Sequence, residues 1–507
     1  MRNSDARPQF EGGGGSSARP MRAVDRGGFV DRHGLWDEAA FAAAGQMRRV
    51  MDEVGIEMVR FAFVDQHGIL RGKTMTRDAV PGVLRSGLTA PSSLLLKDTS
   101  GKSVFDVFSV DTGVAVPGLG GAGDIVMVPD PATFRVVPWA RRTAWILCDL
   151  YFPDGRPVPL CPRQILRTQT ARLAEAGYEL TAGAELEFHV FRLPDVPLDA
   201  GRLNAPGAPG LAPAVTPTST GAQLLHEEGL DSLDELVQIL HDGLRGVDLP
   251  IRSIEMEFGP SQLEITLAPD GPLETADNVV LARSAIRQLC RRHGYHATFM
   301  SRPAGTQTAS TGWHLHQSLR SLATGRPAFP AERGDGTLSE IGMGYLAGLL
   351  EHALAATAFA TPTVNGYKRY LPYSLAPDAV VWGLDNKGAM VRVVGIAGDP
   401  NTRLENRSGE PAANPYLYLA SQIISGLDGI TCRLDPGLPT ENPYAPGAQR
   451  LPRSLAEALD AFEADEAFRS ALGGDVVAWY TTIKRAEFAR YLAYVSDWEQ
   501  REYFGLL

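Results

Sequence analysis

Alternation of apolar and polar residues in the first third of the chain predicts a small domain of helix and sheet over residues 31–145. Residues 36–53 place apolar side chains at helical spacing among alanines, which predicts an amphipathic helix. Residues 57–64 have the composition of a strand, and the Asp-Gln-His-Gly turn after them leads into a second strand, so the segment predicts a hairpin. A further short strand is predicted at residues 124–130.

Longer helices alternate with short strands after Pro162, which stands where proline favours the first turn of a helix. This pattern predicts an α+β domain over residues 160–507. Within it, residues 202–221 are rich in proline, alanine, glycine and threonine and predict a surface insertion. The predicted helices are 163–175, 231–246 and 272–293, and the predicted strands are 185–191, 253–258, 262–267, 294–300, 313–319 and 388–394.

The most apolar segment, residues 344–360, contains Glu351 and His352 and is shorter than the ~20 apolar residues of a membrane span. It predicts a buried helix, and a membrane is not an expected partner. Residues 1–30 are rich in arginine, serine and glycine and lack the apolar core of a signal peptide. We therefore expect a flexible tail there.

Composition narrows the possible partners and the compartment. Among the 507 residues, 48 Lys and Arg oppose 59 Asp and Glu, which gives a net charge of −11, so nucleic acid is not an expected partner. The four cysteines are scattered without the paired spacing of a disulfide framework or a zinc site. A reducing compartment fits this usage, and we expect a cytoplasmic protein.

Ionisable residues recur at alternate positions of several predicted strands, and alternate residues of a strand share a face. Such sets occur at 185–187 (ELE), 314–316 (HLH) and 403–407 (RLENR), and Glu257 and Glu264 flank a Gly-Pro turn. Carboxylates with an imidazole suit Mg²⁺ or Mn²⁺, and arginines beside them suit phosphate. Taken alone, each set is more often a solvated strand face or a surface ion-pair ladder. The order of the motifs along the chain is needed to distinguish these possibilities from a functional site.

That order resembles the glutamine synthetase family. The motifs are, in sequence, AGAELEF, EFGPSQLE, ATFMSRP with STGWHLHQSL, PTVNGYKRYLP with WGLDNKGAMVRV, and RLENRSGEPAANPYLYLASQIISGLDGI, and RFAFVDQHGILRGK is similar to the family's small domain. The resemblance covers about residues 36 to 507. It implies an α+β fold with an N-terminal β-grasp-like domain and a catalytic domain whose antiparallel sheet forms a funnel-shaped site.

The resemblance also implies the residues of the site. Two metal sites, for Mg²⁺ or Mn²⁺, are implied at Glu187, Glu257 and Glu264 and at Glu185, Glu405 and His314. The residues implied to contact ATP are His316, Ser318, Arg392, Arg403 and Arg407, with Lys387 where the family usually has arginine. Arg369 is implied to clamp the α-carboxylate of glutamate, assisted by Arg407, and Asp65 to reach the amine site of a neighbouring subunit.

The implied chemistry has two steps, in which ATP phosphorylates a carboxylate and an amine then attacks the acyl phosphate to give an amide. Shared sites imply a homo-oligomer, for which a dodecamer of two stacked hexamers is expected. Tyr444 lies near the place where some bacterial members carry a regulatory tyrosine, and the sequence leaves its modification open.

Three positions depart from the family pattern. Leu375 stands where ammonia-using members have a glutamate that binds ammonium and removes its proton, and leucine can do neither. Ala309 and Ser310 replace an asparagine and a glycine beside the acid substrate, and Glu255-Met256 replaces a common His-His pair. The first departure predicts an apolar or larger amine, and the other two bear on the identity of the acid.

The sequence therefore favours an ATP-dependent ligase that forms a γ-glutamyl amide from an amine other than ammonia. A true glutamine synthetase, a ligase for an acid other than glutamate, and a ring-forming homologue without catalysis remain as alternatives. The last of these predicts lost metal ligands, whereas all six implied ligands are present.

Overall fold

The computed structural model describes residues 26–194, 200–304, 309–332, 336–371 and 375–507. Within these ranges the N-terminal domain consists of three helices and a sheet in the order β2-β1-β6-β4-β3, with β5 also paired to β6. Its elements are α1 (Phe29–Arg32), α2 (Glu38–Val54), β1 (Met58–Val64), β2 (Leu70–Thr76), α3 (Val80–Ser86), β3 (Leu88–Pro91), β4 (Asp124–Pro129), β5 (Arg135–Val136) and β6 (Thr143–Tyr151).

The predicted helix and hairpin of this domain are confirmed to within two residues. Helix α2 begins where the Asp37 side chain accepts a hydrogen bond from the backbone N–H of Ala40, and it ends at Gly55, whose φ of 72° suits glycine. The tail predicted for residues 1–30 lies mostly outside the described residues. Its predicted end is too late, because Phe29 and Val30 are buried in α1.

Strand β6 is the most central of the elements that the sequence prediction missed in the N-terminal domain. It runs parallel to β1 and antiparallel to β4 in the middle of the N-terminal sheet, so this sheet continues past the predicted boundary at residue 145 to Tyr151. All but the last residue of β6 are buried, and a strand buried on both faces lacks the alternation on which the prediction depended.

The catalytic domain is built on a second sheet, mostly antiparallel, with the order β13-β14-β15-β12-β7-β10-β9, and β8 and β11 also pair with β7. The predicted α+β class is confirmed. The 15-residue strand β7 lies between β12 and β10, which places it at the centre of the domain. The strands are β7 (Tyr178–Arg192), β8 (Thr216–Pro217), β9 (Ile251–Met256), β10 (Gln262–Leu267), β11 (Tyr295–Thr298), β12 (Trp313–Ser321), β13 (Trp382–Leu384), β14 (Val391–Val394) and β15 (Arg403–Gly409).

Helices pack around this sheet, and two predictions need correction. The segment predicted as one buried helix over 344–360 forms two helices that break at His352, and the helix predicted over 231–246 begins three residues later, at Asp234. No helix among the described residues is long and apolar enough to cross a membrane. The helices are α4 (Pro162–Glu175), α5 (Glu227–Asp231), α6 (Asp234–Gly246), α7 (Pro272–Arg292), α8 (Glu340–Glu351), α9 (Ala353–Ala360), α10 (Pro415–Cys432), α11 (Leu455–Ala464), α12 (Glu466–Leu472), α13 (Gly474–Leu492) and α14 (Asp497–Tyr503).

A buried arginine ties the two domains together. Arg163 at the start of α4 donates hydrogen bonds to Asp149 of β6 and to Asp277 of α7 at 3.0 Å each, and only 3% of its side chain is exposed. These charge-assisted bonds compensate the burial of the guanidinium, and they fix the N-terminal sheet against the helices of the catalytic domain.

Candidate active site

Strand register brings the predicted ionisable residues together. His314 of β12 lies opposite Glu185 of β7, and Glu264 of β10 lies opposite Glu187 of the same strand. Because β7 pairs with β12 on one side and β10 on the other, residues of three strands reach one region of the sheet.

This region forms the wall of a cavity of about 690 Å³, which we call the catalytic cavity. All six residues that the family resemblance implied as metal ligands line it, namely Glu185, Glu187, Glu257, Glu264, His314 and Glu405. Four of the implied cationic residues line it as well, namely Arg369, Lys387, Arg392 and Arg407. Carboxylates and guanidinium groups therefore face the same volume.

Glu185 occupies the central position among the possible ligands. Its carboxylate contacts His314 Nδ1 at 3.2 Å and His316 Nε2 at 2.8 Å. Burial opposes ionisation of this carboxyl, but the hydrogen bonds from the two imidazoles outweigh burial and hold its pKa below the usual range. Glu185 is therefore a preformed anion.

Two sets of three residues could each hold a metal ion. Within each set, the possible ligand atoms lie within 4.8 Å of one another. The sets are Glu185, His316 and Glu405, and Glu185, Glu264 and His314. Neither is identical to a set implied by the resemblance, because His316, implied at the nucleotide, belongs to the first set, and Glu264, implied in the other metal site, belongs to the second. Hard carboxylate oxygens with one imidazole per set fit Mg²⁺ or Mn²⁺.

Like charges accumulate on the other side of the cavity. Burial and the charges of Glu187, Glu185 and other carboxylates raise the pKa of Glu264 to about 10. Burial and the neighbouring Glu257 likewise raise the pKa of Glu187. A divalent cation would offset the repulsion among these carboxylates and favour their ionised form. The raised pKa values therefore support a metal site, as the ligand atoms do.

The cations of the cavity are held by carboxylates and backbone oxygens. Arg392 Nη1 donates to Glu405 at 2.9 Å, and Arg407 also pairs with Glu405. Burial opposes ionisation of Glu405, but the charges of Arg407, His314 and His316 together outweigh burial and lower its pKa. Arg369 is 2% exposed and donates to the carbonyl of Ser408 at 2.9 Å, which fixes the guanidinium toward the cavity.

A second cavity of about 740 Å³ adjoins the first and shares Glu185, Glu255 and Thr266 with it. Three residues that the resemblance implied at the nucleotide line this cavity, namely His316, Ser318 and Arg403. Arg403 Nε donates to His316 Nδ1 at 3.1 Å. A molecule in the second cavity would therefore meet one in the catalytic cavity at Glu185.

Asp65 lies in neither cavity. It is fully buried in the turn between β1 and β2, where its carboxylate accepts hydrogen bonds from the backbone N–H groups of His67 and Ile69 and from Arg71 Nε at 2.8 Å. This geometry stabilises the hairpin turn. Within one chain, therefore, Asp65 does not line either cavity.

Two features of the catalytic cavity were missed by sequence reasoning. Gln262 is buried and donates to the Glu187 carboxylate at 2.6 Å, which orients that carboxylate; its position two residues before Glu264 on β10 was the available signal. The second is the extent of an apolar wall, of which sequence reasoning anticipated only Leu375. The wall consists of Ala222, Leu224, Leu225, Phe258, Leu375 and Ala376.

Comparisons with known proteins agree with this geometry. Residues 159–503 match the family model described as the catalytic domain of glutamine synthetase. The chain is 43% identical to a gamma-glutamylanilide synthase of an Acinetobacter species over 94% of this chain and 99% of that protein. It is 34% identical to a gamma-glutamylethanolamide synthetase of Streptomyces coelicolor over 89% and 93%.

The solved complex of GmaS with ADP has the same fold. It superimposes with a TM-score of 0.75 at 29% sequence identity and covers 90% of this chain and 99% of that chain. Ligases of this type use ATP and divalent metal ions, for which the cavities described above have fitting residues. The chain belongs to the glutamine synthetase family and is an acid–amine ligase of that family.

Proposed function

We propose that this ligase joins the γ-carboxylate of glutamate to an aromatic amine of the size of aniline. The observation that carries this proposal is the apolar wall of the catalytic cavity, which faces the carboxylate cluster. Leu224, Leu225, Phe258 and Leu375 are each between 44% and 61% exposed, although they lie inside the cavity wall. Large apolar side chains left exposed beside a polar site indicate a surface for an apolar substrate group.

The chemistry of the amine supports the same substrate class. At neutral pH an aromatic amine is largely unprotonated, because its conjugate acid is much stronger than ammonium, so its lone pair is free to attack. Such a nucleophile does not need a carboxylate to bind a cation and remove its proton first. Leu375 is therefore sufficient where an ammonia-using relative requires glutamate. The similarity to a gamma-glutamylanilide synthase supports this reading of the cavity.

The first step transfers the γ-phosphoryl group of ATP to an oxygen of the glutamate γ-carboxylate and releases ADP. The amine nitrogen then attacks the acyl carbon, a C–N bond forms, the phosphate leaves and the nitrogen loses a proton. We assign the α-carboxylate of glutamate to Arg369, and the phosphates to Arg392, Arg403, Arg407 and Lys387. His316 and Ser318 would lie at the nucleotide in the second cavity.

The residues that would hold Mg²⁺ or Mn²⁺ are the carboxylates of the two cavities together with His314 and His316. When bound, such ions neutralise phosphate and carboxylate charge during phosphoryl transfer. Gln262 would orient the Glu187 carboxylate both with and without a bound metal ion, because its amide already donates to that carboxylate.

We further propose a cytoplasmic homo-oligomer, with a dodecamer as the expected form, in which Asp65 acts at the site of a neighbouring copy. Asp65 lies outside the cavities of its own chain, and because its carboxylate is buried within the β1–β2 turn, action at a neighbouring copy requires that turn to present it on assembly. The C-terminal segment exposes several large apolar side chains, including Trp498, Phe504 and Leu507, which favours their burial against another copy. Four free cysteines agree with a reducing compartment.

The proposal is tested by a product screen. Purified protein is given ATP, Mg²⁺ and glutamate with aniline, isopropylamine, ethanolamine or ammonium, and both ADP release and product mass are measured. We expect a product of the mass of glutamate plus aniline minus water, formed at a higher kcat/KM than with the other amines. Product with ammonium alone, or no amine-dependent ADP release at all, would overturn the proposal. Replacing glutamate by aspartate tests the identity of the acid.

A further inference from the structure

A third cavity, of about 830 Å³, lies between the two domains and away from the carboxylate cluster. One wall is the β1–β2 turn, with Gln66 and His67, and the other is formed by α7 and β11. We call it the basic cavity because its lining includes five cationic side chains, those of Arg283, Arg287, Arg291, Arg292 and Lys484. Among the described residues that line it there is no aspartate or glutamate.

The spacing of three of these arginines directs them to one side of α7. Arg283, Arg287 and Arg291 are four residues apart, and residues four apart lie on the same face of a helix. Arg283 is buried at the base of the cavity, whereas Arg287 and Arg291 are exposed. The row therefore runs from the interior of the cavity toward its mouth.

Most of this positive charge has no compensating carboxylate. Lys484 pairs with Glu487 at 3.0 Å, but Arg283 donates only to backbone carbonyls, among them those of Ala413 and Gly68. Arg287 and Arg291 make no hydrogen bond or ion pair within the described part of the chain. In a chain of net charge −11, such a concentration of unpaired arginines is a local exception.

The charge of these arginines lowers the pKa values of two neighbouring groups, Arg283 and His296. Burial and then the charge of Arg287 lower the pKa of Arg283 to about 10. Burial, followed by the charges of Arg287 and Arg291, lowers the pKa of His296, which also lines the cavity. The repulsion that both groups experience is relieved by an anion.

We propose that the basic cavity binds a small, multiply charged oxyanion, of the kind carried by tricarboxylates and phosphate esters. The volume lies within the range of small-molecule sites, and guanidinium groups bind carboxylate and phosphate through paired N–H donors. Ser284, Gln288 and Asn365 line the same space and supply neutral hydrogen-bonding groups. Since the walls belong to different domains, the bound anion bridges them.

Isothermal titration calorimetry tests this proposal on the full-length, metal-free protein, with citrate and inorganic phosphate as probes and chloride at matched ionic strength. We expect saturable binding of at least one probe, and the tighter of the two identifies the source of the oxyanion. The doubly substituted R287Q/R291Q protein should bind at least tenfold more weakly, since each lost charged contact costs roughly a factor of ten. The exposed pair R32Q/R245Q is the matched control and should bind as the wild type does.

Thermal denaturation provides the second readout, because a ligand that binds only the folded protein raises its melting temperature. The stabilisation by the better probe should be lost in R287Q/R291Q, whose melting temperature without probe should be no lower than that of the control, because removing two charges relieves their repulsion. Binding that is equally strong in R287Q/R291Q belongs to the arginines of the catalytic cavity and overturns the proposal. The proposal is also overturned if the wild-type protein binds neither probe. It is overturned as well if R287Q/R291Q differs from the wild type only in its oligomeric state.

Discussion

Glu264 lies directly opposite Glu187, in register across the antiparallel strands β10 and β7. Both side chains are buried, and like charges directly opposite one another destabilise a sheet. The folded protein retains this pair at the wall of the catalytic cavity, where a divalent cation would convert repulsion into coordination.

Replacing Glu264 by glutamine should separate stability from metal binding. Burial and the neighbouring carboxylates keep Glu264 protonated at neutral pH in the metal-free protein, so the neutral amide removes no charge but avoids the cost of protonating a buried carboxyl. The metal-free variant should therefore be as stable as the wild type or more stable by about 1 kcal/mol. Loss of a ligand should abolish the rise in melting temperature that Mn²⁺ gives the wild type, and ligase activity with it. Thermal denaturation with and without Mn²⁺ measures both, with the exposed E340Q as control. A Glu264→Gln protein that melts lower than wild type and still responds to Mn²⁺ would contradict this account.

Leu375→Glu should shift the enzyme toward ammonium. A carboxylate at this place in the cavity wall can bind a cation and remove its proton, and it makes the wall less favourable for an aromatic ring. We expect kcat/KM for aniline to fall about tenfold or more, a change typical of altered pocket contacts, and kcat/KM for ammonium to rise. Leu384→Glu is the control, because Leu384 is equally exposed and lies outside the cavity. Equal effects on both amines would argue against a role of Leu375 in amine choice.

Strand periodicity made part of the site predictable. The pairs Glu185 with Glu187 and His314 with His316 were expected to share faces, and the observed contacts of Glu185 with both histidines agree with that expectation. Sequence order could not supply the register between β12 and β7, however, and this register sets His314 opposite Glu185 and His316 diagonally across from it. Assignment of His316 to the nucleotide alone was therefore incomplete.

Other features could not be predicted from the sequence because they depend on contacts with residues distant along the chain. Strand β6 is buried on both faces and shows no alternation. The break between α8 and α9 occurs at His352, which is held by carboxylates from α10 and from the start of α12. Leu224 follows a segment whose composition suggests only a surface loop, yet backbone hydrogen bonds from Ala222 to Phe258 and from Leu225 to Met256 attach that segment to the cavity.

Glu410 should control how firmly Arg369 is held. Its fully buried carboxylate accepts hydrogen bonds from Ser301 Oγ at 2.6 Å and from the Thr363 backbone N–H at 2.8 Å, and Thr363 begins the turn that leads to Arg369. Glu410→Ala removes these acceptors and should raise KM for glutamate about tenfold, with a smaller effect on kcat, because the α-carboxylate clamp is loosened.

The conservative Glu410→Gln variant keeps one acceptor oxygen and should recover part of the lost affinity for glutamate, which a merely structural defect would not do. Steady-state kinetics with glutamate as the varied substrate measures the split between KM and kcat. An unchanged KM in both variants would show that Glu410 does not position Arg369.

His352 should make the stability of the helical layer depend on pH. Its Nδ1 lies 2.7 Å from Asp465 and its Nε2 lies 2.9 Å from Asp428, so the charged imidazole bridges two carboxylates. Burial opposes protonation, but the hydrogen bonds and charges of the two aspartates outweigh it and raise the pKa of His352 to about 9. Because the folded pKa lies above the ordinary value of 6.5, the stabilisation is complete below pH 6.5 and is lost as the pH rises through 9.

His352→Gln should therefore cost about 1–3 kcal/mol of unfolding free energy at pH 6 and much less at pH 9.5, where the wild-type imidazole is neutral. Urea denaturation of both proteins at pH 6, 7.5 and 9.5 measures this difference. His241→Gln is the control, because His241 is exposed beside a single aspartate and should change stability little at any pH. A cost of His352→Gln that is the same at all three pH values would mean that the imidazole contributes by packing alone and that its charge does not join α10 to α12.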